Sequence, residues 1–463
     1  MISVQNRLRL SSGSNMAAIL MMVVAICLAS CGSTERVASK TRSSNTRTKK
    51  IDIKPRVTDK QDTKVDTVQW VETTDDSKPP IVDTEGDAVA MIKEASYDLT
   101  YLLPLAALEY TAGSKSYGDK FVQYFAGLEM AEAILEREGI SMSINVVDAD
   151  KRSIRNVLAS SVTPETDAII GLYDTKELKE AAVFAKEKEI PLVSPWKASS
   201  KVADQNPYYV QLRPNLDEYY KSMVKNIADN YKPEQVYVLG RNNTKDKKMV
   251  KYLQRLGKAY FRSADDRPFQ EFEVDVDSLA MGTTAFDSIF HAEQTNVVIV
   301  PNFSFSDEDY IYGCVRRLTV EKGLAPMVVY GMEIMLDSDK ITFDQYNALN
   351  MKVARTKFVD EADSDVRRFK QKFYENYGAL PTADAYEGYD NLMFIGRNMH
   401  RYGRNFQHHL EKDTGYYLQA AYDIQRTFTK GSKDDNFEDI NYFENKHVVI
   451  ISFDGRRFHR EAK

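Results

Sequence analysis

The sequence predicts an α/β protein of two lobes, each a parallel sheet flanked by helices, joined by a hinge and carried behind a disordered N-terminal stalk. Three observations lead there. From about residue 97 onward, short apolar runs alternate with amphipathic stretches, the pattern of a parallel sheet covered on both faces. That alternation fills two blocks of similar size, 97–212 and 213–350. Ahead of them, residues 32–88 are rich in Ser, Thr, Lys, Arg and Asp and show neither helical nor strand periodicity, as a flexible tether would.

The N-terminus reads as a targeting segment. Arg7 and Arg9 precede Met16–Leu28, an unbroken apolar run of thirteen residues. A bilayer span takes about 20 residues, so the run is too short to cross. A basic start, a short apolar core and small residues make a secretory signal. Leu28-Ala29-Ser30-Cys31 then resembles the bacterial lipobox. The resemblance implies removal of residues 1–30 and acylation of Cys31. Each buried methylene contributes about 0.8 kcal/mol, so several acyl chains anchor firmly. An ordinary signal peptide with an incidental cysteine is the alternative. Gly32-Ser33-Thr34-Glu35 carries no acidic run. The expected location is therefore the periplasmic side of a bacterial membrane, the outer rather than the inner.

The segment 31–96 is expected to hold the lipidated cysteine and the stalk. Its charge is split: residues 32–56 have eight Lys/Arg and two acids, and residues 57–88 have three Lys and nine acids. The basic half adjoins the anchor, where it would meet anionic head groups or serve only as a solvated spacer.

In the first lobe, strands are expected at Leu99–Leu105, Ser143–Val147, Ala168–Leu172 and Pro191–Val193, with helices at 118–138, 151–160 and 176–189. Lys176–Glu189 carries apolar residues on one face and charge on the other. Residues 207–220 read as the connection between lobes. In the second lobe the pattern gives strands at Gln235–Leu239, Asn296–Val300 and Pro326–Tyr330, and helices at 245–261 and 306–322. Residues 351–463 are expected to cross back and complete both lobes, ending in the strand pair Val448–Phe453 and Arg457–His459 around Asp454-Gly455.

Four stretches carry a family resemblance. Leu99–Gly113 (LTYLLPLAALEYTAG) resembles an opening strand and loop ending in Pro-Leu-x-Gly. Asp167–Ser200 resembles "Ala-Ile-Ile-Gly", an Ala-rich helix and "Ile-Pro-x-Ile-Ser-Pro". Tyr208–Asn215 (YYVQLRPN) resembles "Tyr-x-Phe-Arg-x-x-Pro-Ser". Phe369–Asp390 resembles "Phe-x-x-x-Tyr-x-x-x-Tyr-Gly-x-x-Pro" followed by "Ala-x-x-x-Tyr-Asp". In this order they are similar to the type I periplasmic binding proteins of the branched-chain amino-acid-binding group, the substrate-binding components of ABC transporters. The resemblance covers about 97–463 and implies a small-molecule ligand in a cleft between lobes and an ABC permease as partner. Arg213-Pro214, the stretch near Gly331 and Met351–Phe358 are the hinge candidates.

The resemblance also points to loops. Leu172-Tyr173-Asp174-Thr175 follows a strand, and Thr175 matches the family's ligand-binding Ser/Thr. A hydroxyl beside free helix-start amides suits a carboxylate; a plain helix cap by Asp174 or Thr175 is equally consistent. Ser194-Pro195-Trp196-Lys197-Ala198 departs from the family, which has small residues after Ser-Pro. Trp196 would stack on a ring or sugar, or pack the lobe; Lys197 would meet an anionic group, or only solvent. Strand-end position alone adds Tyr117, Arg241, Asn302, Tyr330 and Glu333. A small aliphatic amino acid is thereby made doubtful as the ligand.

Composition removes other classes. With 43% apolar and 28% charged residues the chain is globular in type. Lys+Arg 62 against Asp+Glu 68 gives −6, against a nucleic-acid partner. Three cysteines exclude a disulfide scaffold, and Cys314 is expected to be a buried apolar residue. No nucleophile-elbow, zinc, nucleotide or redox motif stands in the sequence, so no enzyme activity, metal or cofactor is expected. Two functions remain: a lipid-anchored periplasmic solute receptor, or an envelope lipoprotein that keeps the fold and docks on a cell-wall synthase or other envelope machinery. Cys31→Ser should move the full-length protein from the membrane to the soluble fraction and abolish labelling by a clickable fatty acid; retained labelling would refute acylation there.

Overall fold

The computed structural model describes residues 93–463, apart from 108–116, 199–201, 203–204, 281–283, 413–414, 429–439 and 462–463. The signal, Cys31 and the stalk lie outside the described residues. Two seven-stranded sheets form the body. The first is built from β1 (Tyr97–Leu103), β2 (Met142–Asp148), β3 (Thr166–Gly171), β4 (Leu192–Ser194) and β5 (Tyr209–Gln211), all parallel, in the order 2-1-3-4-5. Helices α1 (Asp119–Arg137), α2 (Ile154–Ser161) and α3 (Thr175–Lys188) connect them.

Side chains on these strands alternate between two cores. Leu99, Tyr101, Leu103, Ile170, Val193 and Val210 pack on one face. Leu102, Ile169, Leu192 and Tyr209 pack on the other. The period of two thus buries both faces, which is why the strands read as continuous apolar runs.

After β5 the chain enters the second lobe through α4 (Leu216–Asn230). There β6 (Val236–Gly240), β7 (Gln270–Glu273), β8 (Asn296–Ile299), β9 (Met327–Met332) and β10 (Lys352–Arg355) run parallel in the order 7-6-8-9-10. Helices α5 (Thr244–Phe261) and α6 (Glu308–Glu321) flank them. Cys314 is fully buried in this core, and burial pushes its thiol up to about 12.

The chain then returns to the first lobe. Helices α7 (Ser364–Tyr377) and α8 (Ala383–Tyr402) pack with α1 around Phe369, Phe373 and Tyr386. A two-residue ladder, β11 (Gly415–Tyr416) with β12 (Ala421–Tyr422), follows. Strands β13 (Ile424–Phe428) and β14 (Ile440–Asn445) extend the first sheet beyond β5. A last crossing leads to β15 (Val449–Phe453) and β16 (Phe458–Arg460), antiparallel at the edge of the second sheet. Residues 209–211, read above as part of a connector, are an inner strand of the first sheet.

Two glycines let α1 and α8 touch. A methyl group on Gly127 would lie 1.9 Å from the Ala385 carbonyl oxygen, and one on Gly388 would lie 2.0 Å from the Tyr124 carbonyl oxygen. Gly388→Ala should therefore force the helices apart and cost about 1–3 kcal/mol, as overpacking does, read by denaturant unfolding; an unchanged midpoint would refute the close fit.

Candidate functional site

The carboxyl ends of the parallel strands in an open α/β sheet carry its ligand loops. In the first lobe the end of β3 is bent sharply. Gly171 has φ +126° and Leu172 has φ 63°, and a Cβ on Gly171 would lie 2.3 Å from the Leu102 carbonyl oxygen. The bend hands the chain to Tyr173. Asp174 then caps α3, its Oδ1 accepting from the amides of Lys176 at 2.7 Å and Glu177 at 3.1 Å. Asp174 is thus the cap, and Thr175 is the exposed first residue of the helix.

Ser194 ends β4 and is fully buried. Trp196 is half-buried in an aromatic cluster. Its ring lies 5.2 Å from Phe121, 5.1 Å from Tyr124 and 6.1 Å from Tyr173 between centroids. Tyr117 joins through Phe121 at 5.6 Å and Tyr173 at 6.2 Å, yet is 54% exposed. Lys197 places its ammonium 4.3 Å from the Tyr173 ring centre, and Lys120 places its own at 3.6 Å. Ala198 is exposed beside them. The structure therefore gathers Tyr117, Tyr173, Trp196 and Lys197 and adds Lys120, Phe121 and Tyr124. Sequence reasoning missed these three because, on the first turns of α1, they read as an ordinary amphipathic face.

The second lobe is arranged differently. Arg241, after β6, donates to Asp246 from Nε at 2.8 Å and from Nη2 at 3.0 Å, and to Asp307 at 2.7 Å. Lys245 donates to Asp307 at 2.7 Å. Burial alone would raise the carboxyl of Asp246, but hydrogen bonds and charge from Arg241 more than reverse it and hold it below the usual carboxylate value. Asp307 behaves likewise under Lys245 and Arg241. Arg241 is thus committed within its own lobe. Asn302 is fully buried behind it, with Nδ2 3.5 Å from Asp246. Strand β9 runs to Met332, two residues past the expected end, so Tyr330 lies inside the strand. Its side chain is fully buried and its hydroxyl donates to Asn226 at 2.6 Å. Phe303 and Phe305, after β8, are exposed rings at this end, 40% and 68% respectively.

The strand ends of the two sheets meet at Arg213 and Glu333. The guanidinium of Arg213, just past β5, donates to Glu333 Oε1 at 2.7 Å, just past β9, and Tyr219 donates to Oε2 at 3.3 Å. The chain crosses between lobes at three places. Residues 212–215 and the stretch after β10 match two hinge candidates, whereas Gly331 lies inside β9. The third crossing follows Asn445, whose Nδ2 donates to the carbonyls of Leu212 and Ala421, both at 3.0 Å.

Asp390 on α8 governs the second crossing. Its fully buried carboxylate accepts from the amides of Leu418, Gln419 and Ala420, each at 2.9 Å. The Gln419 carbonyl in turn accepts from the Phe358 amide at 2.8 Å, and Lys357 pairs with Glu387. Burial pushes the Asp390 carboxyl up to about 7 despite those three amides.

A family model described as "Periplasmic binding protein" matches residues 161–409, more than half of the chain. The chain belongs to the periplasmic binding protein family. Proteins of that family are binding proteins of the periplasm. Solved structures agree on the fold. A putative branched-chain amino acid ABC transporter protein from Rhodospirillum rubrum matches at TM-score 0.52 and 14% identity, over 79% of this chain and 100% of that one. A branched-chain amino acid ABC transporter periplasmic ligand-binding protein from Burkholderia xenovorans matches at 0.51 and 14%, over 79% and 94%. Full-length LpoA from Haemophilus influenzae matches at 0.51 and 11%, over 80% of this chain and 60% of that one. No curated protein matches the chain. The type I periplasmic binding fold expected from the sequence is the fold observed.

The Asp390 carboxyl gives a pH test. With its pKa raised in the folded state, the native protein holds more protons than the unfolded chain from about pH 4 to 7. The group's contribution to stability is therefore full at low pH and lost as pH rises toward 7. Unfolding of the parent and Asp390→Asn proteins across that range should show the parent's relative stability falling with pH. A difference independent of pH would refute the assignment.

Proposed function

We propose that the chain is a lipid-anchored periplasmic receptor whose two lobes close on a small polar molecule and which delivers it to an ABC permease. The observation that carries this reading is the family match combined with half-buried and exposed side chains at the ends of β1, β3 and β4: Tyr117, Tyr173, Thr175, Trp196 and Lys197. Lobes of this kind close by rotation about a few hinge residues, and the Arg213–Glu333 pair lies where such a hinge would turn. The Cys31 motif supports the anchor.

One observation favours a second reading. Trp196 and Tyr173, packed against Phe121 and Tyr124 of α1, stand in loops where the resemblance implies small residues. A filled cleft suits a lipoprotein that docks on cell-wall or outer-membrane machinery. A thermal-shift screen of the full-length chain against amino acids, peptides, sugars and muropeptides separates the two. A ligand at 100 times its Kd should stabilise by about 2.7 kcal/mol. No shift with any class, together with specific capture of an envelope protein, would replace the receptor by the docking protein.

A further inference from the structure

Two lysines at the first-lobe loops are half-buried on aromatic rings, unlike the ion-paired cations around the strand ends. Arg213 pairs with Glu333, Arg241 and Lys245 with Asp246 and Asp307, Lys357 with Glu387, and Lys446 with Glu444 and Glu218. Lys120 and Lys197 are half-buried, yet among the described residues neither forms an ion pair. Their ammonium groups converge instead on the single ring of Tyr173, and Lys120 also lies 4.8 Å from the ring centres of Tyr117 and Phe121. Ring faces attract ammonium groups but do not neutralise them. Partial burial of a charge without a counter-charge costs free energy, and placing two like charges on one ring adds repulsion. Asp384, at the start of α8, acts electrostatically on Lys120, and Asp150, Glu177 and Asp174 act on Tyr117, but none of these carboxylates forms an ion pair with either lysine. The arrangement is one that an incoming anion would complete.

The surroundings describe the rest of that anion. Tyr117 offers an exposed ring, and half-buried Trp196 sits in the same cluster. The exposed rings of Phe303 and Phe305 stand at the end of β8 in the other lobe. Flat side chains at both strand ends suit a flat ligand. Resting on the receptor reading above, we propose that the ligand is a small anion carrying a planar ring, its carboxylate or phosphate held by Lys120 and Lys197 and its ring laid against Tyr117 and Trp196. The first strand-end helix then contributes a charge through Lys120, and the departure at Trp196-Lys197 selects the ligand rather than closing the site.

Isothermal titration calorimetry on the full-length chain tests this with named probes. Benzoate, indole-3-acetate and phenyl phosphate are the ringed anions. Benzamide, indole-3-acetamide and phenol are their respective uncharged counterparts, and leucine is a ring-free zwitterion. At least one ringed anion should bind, and its uncharged counterpart should bind about tenfold more weakly or less. Preference for benzoate or phenyl phosphate assigns the acidic group. Lys120→Gln and Lys197→Gln should each weaken the bound anion about tenfold, while Lys225→Gln, on the exposed face of α4, should not. The unliganded melting temperature of none of the three variants should fall below the parent's, separating loss of binding from loss of fold. Equal binding of acid and amide, or full affinity in both loop variants, would overturn the proposal and leave the receptor standing. So would binding of leucine without any ringed anion. Failure of every probe would overturn it too, and the broader ligand screen would then decide whether the cleft binds anything.

Discussion

The buried carboxylate of Asp390 holds together parts of the chain that no local interaction would join. Its three amide donors come from consecutive residues, 418–420, so the loop is clamped along its length rather than at a point. That loop receives the second crossing through Phe358 and Lys357. One residue along α8, Asn391 accepts from Tyr422 at 2.6 Å and donates to the Tyr124 hydroxyl at 3.0 Å. Tyr124 in turn packs on Trp196. A continuous set of contacts therefore runs from the hinge to the aromatic cluster at the candidate site. A carboxylate with no water around it stays in place only if such donors surround it, and here those donors are the backbone of the hinge-side loop.

The two lobes use charge in opposite ways. In the second lobe the strand-end cations are matched by carboxylates of the same lobe, so Arg241, Lys245, Asp246 and Asp307 make a closed set that stiffens the ends of β6 and β8. In the first lobe Lys120 and Lys197 rest on rings. A matched network presents little net charge to a molecule in the cleft, whereas ammonium groups on aromatic faces keep theirs. On the proposed reading, the difference would give the lobes separate tasks, recognition in one and a preformed wall in the other.

Much of the architecture was legible in the sequence because both faces of the inner strands are buried. Ala168–Leu172 and Asn296–Val300 are continuous apolar runs between amphipathic helices, and both stand within two residues of where they were expected. Tyr209–Gln211 was not legible as a strand because three residues are too few to show a period of two. The last crossing was expected within 351–463, but the contacts that fix it were hidden for another reason. Asn445 and Lys446 act on Leu212, Ala421, Glu218 and Glu444, contacts set by tertiary position alone. At the site, Trp196 and Lys197 stood out because they interrupt a recognisable motif. Lys120, Phe121 and Tyr124 did not, because helical spacing cannot tell a face turned to the core from one turned to a loop cluster. Asn302 and Tyr330 were chosen by proximity to a strand end. An error of two residues in that end, or one turn of backbone, is enough to bury such a side chain.

The contact between Gly127 and Ala385 also bears on how the molecule is assembled in time. The first lobe cannot bury α1 until α8 is available, and more than 250 residues separate those two positions in the chain. Most of the second lobe, from α4 to β10, is one uninterrupted stretch. Contacts between distant residues form slowly, since the intervening loop must close first. The lobe that begins the chain therefore stays incomplete until α8 arrives, and until then its apolar helix face stays open to wrong partners. A polypeptide that had to cross a membrane unfolded would gain from this order, because its leading half would not lock before its trailing half had arrived.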